Sequence, residues 1–438
     1  MHIVLLSGGS GKRLWPLSND IRSKQFIPFF QQSDGARHSM AQRVCGQVRH
    51  AIPGAQITIA TSKAQVSVLR NQLGDAVDIC VEPCRRDTFP AIALVSAYLH
   101  DVKGVDENEA VVVCPVDPYV EDSYFSAVHQ LTQLVGTGAG ELMLMGVEPT
   151  YASEKYGYIL PQNKEAVSHV LSFREKPDAD AAQRYIDEGA LWNSGVFAFC
   201  LGYVLTRARQ LLGCSDYEGL LAAYESLEKI SFDYAVVEHE SNIGVLRYGG
   251  AWKDLGTWNT LTEIMEETAL GDAVLDDGCR NTHVVNEMDV PVLVMGAQNL
   301  VVAASPEGIL VADKAASSYM KPYVERISQP VMFAEKSWGS FRIIDVEEES
   351  LTIKVTLNAG HAMNYHSHAH RREIWTVVSG CGTVRLDGTV RPAAAGDVID
   401  IPAGMKHKIS ARERMVVIEV QVGSSISKED KVKWEEEN

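Results

Sequence analysis

The stretch "LLSGGSGKRLWPLS", residues 5–18, decides how the first half of the chain is read. An apolar run ends in Gly8, Gly9 and Gly11, and Lys12 and Arg13 stand beside the last glycine. Glycine lets backbone N–H groups approach an anion closely, and the two cations can add charge-assisted hydrogen bonds, so the turn suits a phosphate. It is neither GxxxxGK[ST] nor GxGxxG, and taken alone it is weak evidence, since a tight structural bend is the bland alternative.

Its surroundings narrow the choice. "HIVLLS" (2–7), "QITIAT" (56–61), "DICVEP" (78–83), "AVVVCPVD" (110–117) and "ELMLMGVEP" (141–149) are short apolar runs closed by turn signals, and they read as strands. Between them "SMAQRVCGQVRHAI" (39–52), "SKAQVSVLRNQLG" (62–74), "FPAIALVSAYLHDV" (89–102) and "SYFSAVHQLTQLVG" (123–136) carry helical spacing. The alternation predicts an α/β domain with a mainly parallel sheet, whose ligand lies beyond the carboxyl ends of the strands.

A chain of 438 residues exceeds one ordinary domain and predicts two or three. A net charge of -17 argues against a general nucleic-acid binder, which needs excess Lys and Arg. Residues 1–50 nevertheless hold seven Lys and Arg against Asp20 and Asp34, which points to a small anionic ligand. No stretch reaches the length of a membrane span, and "IVLL" is too short for a signal-peptide core. Eight scattered cysteines without a CxxC pair predict reduced thiols and a cytoplasmic protein.

Further motifs appear in order: "EPCRRDTFPAIAL" (82–94), "VVVCPVDPYV" (111–120), "SEKYGYI" (153–159), "FREKP" (173–177), "WNSGVFAF" (192–199), "FDYAVVE" (232–238) and "WKDLGTW" (252–258). With "GGSGKRLWPLSNDIRSKQF" this series resembles the sugar nucleotidyltransferases, and most of all the mannose-1-phosphate guanylyltransferases. The resemblance implies a Rossmann-like nucleotidyltransferase domain over residues 1–265. It would take a nucleoside triphosphate and a sugar 1-phosphate as substrates, with Mg2+ on Asp117 and Asp254; each Asp standing alone could equally be a capping residue. It further implies catalytic Arg13 and Lys24 on the triphosphate. Gly8, Gly9, Gly11, Lys12, Glu82 and Thr88 would contact the nucleotide, and Gly157, Glu175, Lys176 and Asn193 the sugar phosphate. The chain departs from the family at Asp87, where Asn is usual, at Pro118, where His is usual, and at Lys12, where Thr or Ser is usual. An acceptor at Asp87 cannot make the contacts of an Asn amide, so GTP and mannose 1-phosphate are expected while another base, such as cytosine, or another sugar stays open.

Residues 266–328 alternate short apolar strands with Asn, Asp, Gly and Pro turns. They resemble the short β-helix-like connector of the same family, which is expected to pack or to self-associate, so a homo-oligomer is expected. Beyond "KSWGSF" an all-β pattern begins, in which Gly360, His366, His368, Glu373 and Gly380, then Gly396, Pro402, Gly404 and His407, have the spacing of the two cupin motifs. On a strand His366 and His368 share a face, and with Glu373 and His407 they would form a cage of three nitrogens and one oxygen. Such a set suits Zn, Fe, Mn, Co or Ni. His361 and His370 hold no motif position, although His370 shares the face of the pair if the strand continues. A nucleotidyltransferase followed by a cupin barrel, here 329–438, resembles the bifunctional mannose-1-phosphate guanylyltransferase/mannose-6-phosphate isomerase family. The resemblance implies a second activity on mannose 6-phosphate and fructose 6-phosphate. Two departures, His366 for Gln and Lys408 for Arg, leave that activity open, and a regulatory protein that binds nucleotide sugars is the alternative from another class.

Overall fold

Strand His2–Leu6 is buried along nearly its whole length, the state of a strand covered on both faces of a sheet. In the computed structural model, which describes residues 1–9, 12–31, 35–427 and 429–435, it lies within a sheet of nine strands. Gly11 lies outside the described residues. Contacts divide the chain into two units. One holds Met1–Ser10, Ser23–Val66 and Asp75–Gly256, and the other Gly11–Arg22, Ser67–Gly74 and Thr257–Asn438.

In the first unit the strand order is Asp78–Glu82, Gln56–Ser62, His2–Leu6, Ala110–Pro115, Leu191–Cys200, Leu142–Val147, Ile243–Tyr248, Val167–Arg174, Tyr158–Pro161. The first four run parallel, as do Leu142–Val147 and Ile243–Tyr248; the remaining pairings are antiparallel. The sheet is therefore mixed: seven of its nine strands point one way, and Leu191–Cys200 and Val167–Arg174 run against them. Leu191–Cys200 runs antiparallel between two strands of the sheet, and Tyr158–Pro161 and Val167–Arg174 pair as an antiparallel ribbon. All three lie in or beside segments read in the sequence as ligand motifs, which masked their strand character.

Parallel register positions the first site. Leu6 is paired with both Ala60 and Pro115, and Ser62 with Glu82. The turn at Gly8 and Gly9, the segment carrying Asp117, and Glu82 therefore leave the sheet at one edge, where ligands of such sheets sit. Helix Thr88–Asp101 is buried on nearly every side, as its apolar sequence dictates.

In the second unit, Ala269–Leu270, His283–Asn286 and Leu300–Ser305 pair in parallel, and Gly308–Asp313 adds an antiparallel strand. Ala273–Leu275 and Val292–Val294 form a second parallel pair. Gly308, at a φ of 145°, faces the Trp15 ring so closely that a Cβ would sit 2.6 Å from it. Beyond it two antiparallel sheets of six and five strands share one core that includes Trp375, Val384, Ile401, Ile409 and Val417. Arg22 is buried in this unit with both terminal nitrogens on Glu287, at 2.7 and 3.0 Å. Removing one partner of such a pair strands the other charge, so Arg22→Ala is expected to lower stability by roughly 3 kcal/mol, measured by urea unfolding.

All eight cysteines are free thiols. Among the described residues no helix is long and apolar enough to cross a membrane.

Candidate functional site

Asp117 and Asp254 are remote in sequence and meet because Pro118–Val120 pairs antiparallel with Trp252–Asp254, setting Pro118 opposite Asp254. Lys24, in the short helical turn Lys24–Phe26, brings its ammonium 2.8 Å from Asp117 Oδ2 and 3.2 Å from Asp254 Oδ1. Burial alone would depress the Lys24 pKa; Asp117 and then Asp254 reverse that and hold it above its usual value. Two carboxylates converging on one cationic group are the hard oxygen donors that suit a divalent ion such as Mg2+.

A cleft of about 480 Å3 opens beside the glycine turn, lined by Gly8, Gly9, Glu82, Asp87 and Thr88. Arg85, Lys229, Gly195 and Asp233 also line it, and none of these four was singled out from the sequence. Glu82 is buried and accepts a hydrogen bond from the Tyr224 hydroxyl at 2.8 Å; burial raises its pKa. Asp87 has a φ of 68° and caps helix Thr88–Asp101, accepting from the Thr88 N–H at 2.8 Å. The Thr88 hydroxyl accepts from the Phe232 N–H, also at 2.8 Å, tying this loop to the segment that carries Asp233.

A second cluster joins Gly157, Glu175, Lys176 and Asn193. The Asn193 N–H donates to the Gly157 carbonyl at 2.8 Å, and its side-chain amide donates to Asp233 at 2.7 Å. Burial, and next the nearby Glu175, push the Asp233 pKa up to about 7. Lys176, at a φ of 47°, contacts the Glu175 carboxylate and keeps its side chain half exposed. Gly157 is needed for space, since a Cβ there would lie 2.5 Å from Glu175 Oε2 and 2.8 Å from the Phe173 ring. Lys12 and Arg13 belong to the second unit; there Lys12 pairs with Asp20 at 3.6 Å, and Arg13 is exposed.

In the second unit His366, His368, Glu373 and His407 are all buried, and their potential ligand atoms lie within 4.8 Å of one another. His366 sits opposite His407 in adjacent antiparallel strands. Each imidazole turns Nδ1 to a backbone carbonyl: His366 to Asn364 at 2.7 Å, His407 to Met405 at 2.8 Å, and His368 to Asp430 at 3.2 Å. A carbonyl only accepts, so Nδ1 carries the proton, and a neutral ring then turns the Nε2 lone pair inward. Burial first, then the neighbouring Lys431 and His407, drive the His366 pKa down to about 2, so that ring is neutral. Glu373 oxygens lie 3.1 Å from His368 Nε2 and 3.4 Å from His407 Nε2, and the buried His407 Nε2 has no hydrogen-bond partner among the described residues. Inward lone pairs facing a carboxylate are relieved by a cation between them, so the four side chains fit a divalent metal.

The residues around this cluster were not singled out from the sequence. Arg371 reaches Glu373 Oε1 at 3.2 Å and His368 Nε2 at 3.1 Å, and the Trp375 indole donates to Glu373 Oε2 at 3.0 Å. Gln421 bonds the same carboxylate at 3.4 Å. A signal was available, since Arg371 and Trp375 lie two residues either side of Glu373 and so share its face on a strand. His361 and His370 are exposed; the strand ends at His368, so His370 does not join the pair.

A mixed α/β sheet with paired carboxylates at its ligand edge, and a second unit with a buried His/Glu cluster that fits a divalent metal, define the class as an enzyme of two units. The nucleotidyl transferase family model matches residues 2–270, and the chain belongs to that family; the mannose-6-phosphate isomerase C-terminal model matches residues 328–436. The chain is 29% identical to the mannose-1-phosphate guanylyltransferase ManC of Salmonella typhimurium, over 100% of this chain and 98% of the relative. It is 28% identical to the mannose-1-phosphate guanylyltransferase of Escherichia coli, over 99% and 98%. A crystal structure described as a mannose-1-phosphate geranyltransferase from Thermus thermophilus aligns with a TM-score of 0.64 at 29% identity, covering 74% of this chain and 98% of that one.

Proposed function

We propose that the protein transfers the guanylyl group of GTP to mannose 1-phosphate, releasing pyrophosphate, and that its C-terminal module interconverts mannose 6-phosphate and fructose 6-phosphate. The observation that carries the first half is the convergence of Asp117 and Asp254 on one cation beside a glycine-lined cleft, in a chain alike over its whole length to mannose-1-phosphate guanylyltransferases. The modules are taken as residues 1–265, a β-helix-like connector at 266–328 and a cupin barrel at 329–438.

In the first module a phosphate oxygen of the sugar 1-phosphate attacks the α-phosphorus of GTP, and the bond to pyrophosphate breaks. Asp117 and Asp254 would hold Mg2+, which supplies charge neutralisation between two anionic substrates. Lys24, which ties the two carboxylates together, turns to the triphosphate. Gly8 and Gly9 offer N–H groups to the phosphates, and Glu82 and Thr88 face the base. Glu175 accepts from sugar hydroxyls, Lys176 holds the sugar phosphate, and Gly157 and Asn193 shape the space between them. Because a Cβ at Gly157 would meet the Glu175 carboxylate, Gly157→Ala is expected to raise KM for mannose 1-phosphate about 10-fold or more, read by initial rates.

In the second module His366, His368, His407 and Glu373 would hold a transition metal, of which Zn, Fe, Mn, Co and Ni suit the set, and which would supply polarisation of the carbonyl and hydroxyl oxygens of the open-chain sugar. Arg371 and Trp375 keep the Glu373 carboxylate in one orientation. The reading expects a cytoplasmic homo-oligomer, for which exposed Ile309 and Val311, on one side of strand Gly308–Asp313, offer apolar surface.

Phosphorus NMR of the protein with Mg2+, GTP and mannose 1-phosphate tests the first half: GDP-mannose and pyrophosphate are expected to grow in equal amounts. The second half is tested by supplying mannose 6-phosphate to metal-loaded protein. Absence of fructose 6-phosphate would overturn it.

A further inference from the structure

The short strand Lys431–Lys433 lies beside the metal-binding pair, with His368 opposite Lys431, Ser367 opposite Val432 and His366 opposite Lys433. Side chains directly opposite in adjacent strands project from the same side of a sheet, and successive residues alternate sides. Both lysines therefore share the face of His366 and His368, while Val432 shares that of Ser367. An independent contact fixes the alternation: the indole of Trp434 donates to the Ser367 hydroxyl at 3.0 Å on the opposite side, where the Lys406 ammonium lies 3.8 Å from the centre of its ring.

The lysines differ from the histidines they face. His366 and His368 are buried, whereas Lys431 and Lys433 are exposed, so the pair stands at the solvent rim of the cluster. Among the described residues neither ammonium makes a hydrogen bond or an ion pair within 4 Å. Neither cation is tied by a close contact, although Lys431 lies within electrostatic reach of Glu419 and Glu373, and both stand next to Arg371, whose guanidinium is held by Glu373, the Ser427 carbonyl and Asp430.

We propose that Lys431 and Lys433 form the phosphate subsite of the C-terminal module, holding the phosphate monoester of a phosphorylated sugar while its carbonyl end reaches the His/Glu cluster. This rests on the isomerase reading for the identity of the sugar. Its chemistry stands apart from that reading: two ammonium groups on one face offer charge-assisted donors to a phosphate dianion. They are positioning residues, and they govern affinity for the phosphate rather than the proton transfer.

The test compares the full chain with Lys431→Gln/Lys433→Gln and with Lys431→Arg/Lys433→Arg. The Gln variant is expected to raise KM for mannose 6-phosphate by at least about 10-fold, with kcat changed less than about 3-fold. Bound metal, measured by mass spectrometry, and pyrophosphate release from GTP should match the parent, and the Arg variant should retain most of the affinity. Calorimetric titration of the metal-free chain separates the sources of binding. Mannose 6-phosphate should bind the Gln variant about 10-fold more weakly than the parent, and inorganic phosphate should weaken in parallel if the phosphate alone is recognised. An unchanged KM and unchanged binding would overturn the proposal, as would loss of metal or of kcat at constant KM, since those mark a structural role. If the parent forms no fructose 6-phosphate yet binds mannose 6-phosphate through these lysines, the isomerase reading fails and the phosphate subsite stands.

Discussion

Asp117→Asn is expected to lower nucleotidyl transfer by about 1000-fold or more, the scale on which removing one preorganised charge-stabilising group acts. The substitution keeps the shape of the side chain and removes its charge. Lys24 retains Asp254 at 3.2 Å, and Asp117 is about one-third exposed, so the fold should tolerate the change. Pyrophosphate release at saturating Mg2+ reads the effect, with circular dichroism as the check on folding. Asp254→Asn should behave alike, and the double variant should cost little more than either single one, because residues that hold one ion act as a unit. Additive losses would mean that the carboxylates serve separate tasks.

His407→Gln is expected to empty the second site and abolish sugar-phosphate isomerisation while guanylyl transfer continues. The Nε2 of His407 is buried without a hydrogen-bond partner among the described residues and lies 3.4 Å from Glu373 Oε2, the placement of a ligand that would share a cation with that carboxylate. Loss of a partner one step outside the ligands costs about 10–100-fold in metal affinity, and loss of a ligand should exceed that. Gln fills much of the volume of the imidazole, which limits the cavity. Glu373→Gln should act in the same direction, since the carboxylate is the sole anionic member of the set. Metal content per chain and isomerase rate are the two readouts, and a variant that keeps both would remove His407 from the ligand set.

Much of this arrangement is legible in the chain. The strands at 2–6, 56–62, 78–82, 110–115 and 142–147 announce themselves because each is an apolar run closed by a turn. Leu191–Cys200 was harder to see, because Asn193, Ser194 and Gly195 interrupt its apolar pattern and a register shift lies between Asn193 and Phe197. The His366 and His368 pair is legible because a spacing of two on a strand fixes a shared face. Arg371 is harder to read, because in "HRRE" it looks like one more exposed charge; its spacing of two from Glu373 is the signal, and burial beside that carboxylate gives it meaning. The meeting of Asp117 with Asp254 depends on pairing between two strands of three residues each, too short to carry a periodic signal. Lys431 and Lys433 belong to the same class, since a three-residue strand gives no warning of which strand it will join.

The measurement that bears most directly on the central claim is the rate of pyrophosphate release by the unaltered protein with mannose 1-phosphate and Mg2+, taken in turn with GTP, CTP, UTP, dTTP and ATP. The account predicts the highest kcat/KM with GTP, and its loss when Mg2+ is chelated. A higher value with another nucleotide would contradict the assignment of the base, and silence with all five would contradict the enzyme itself.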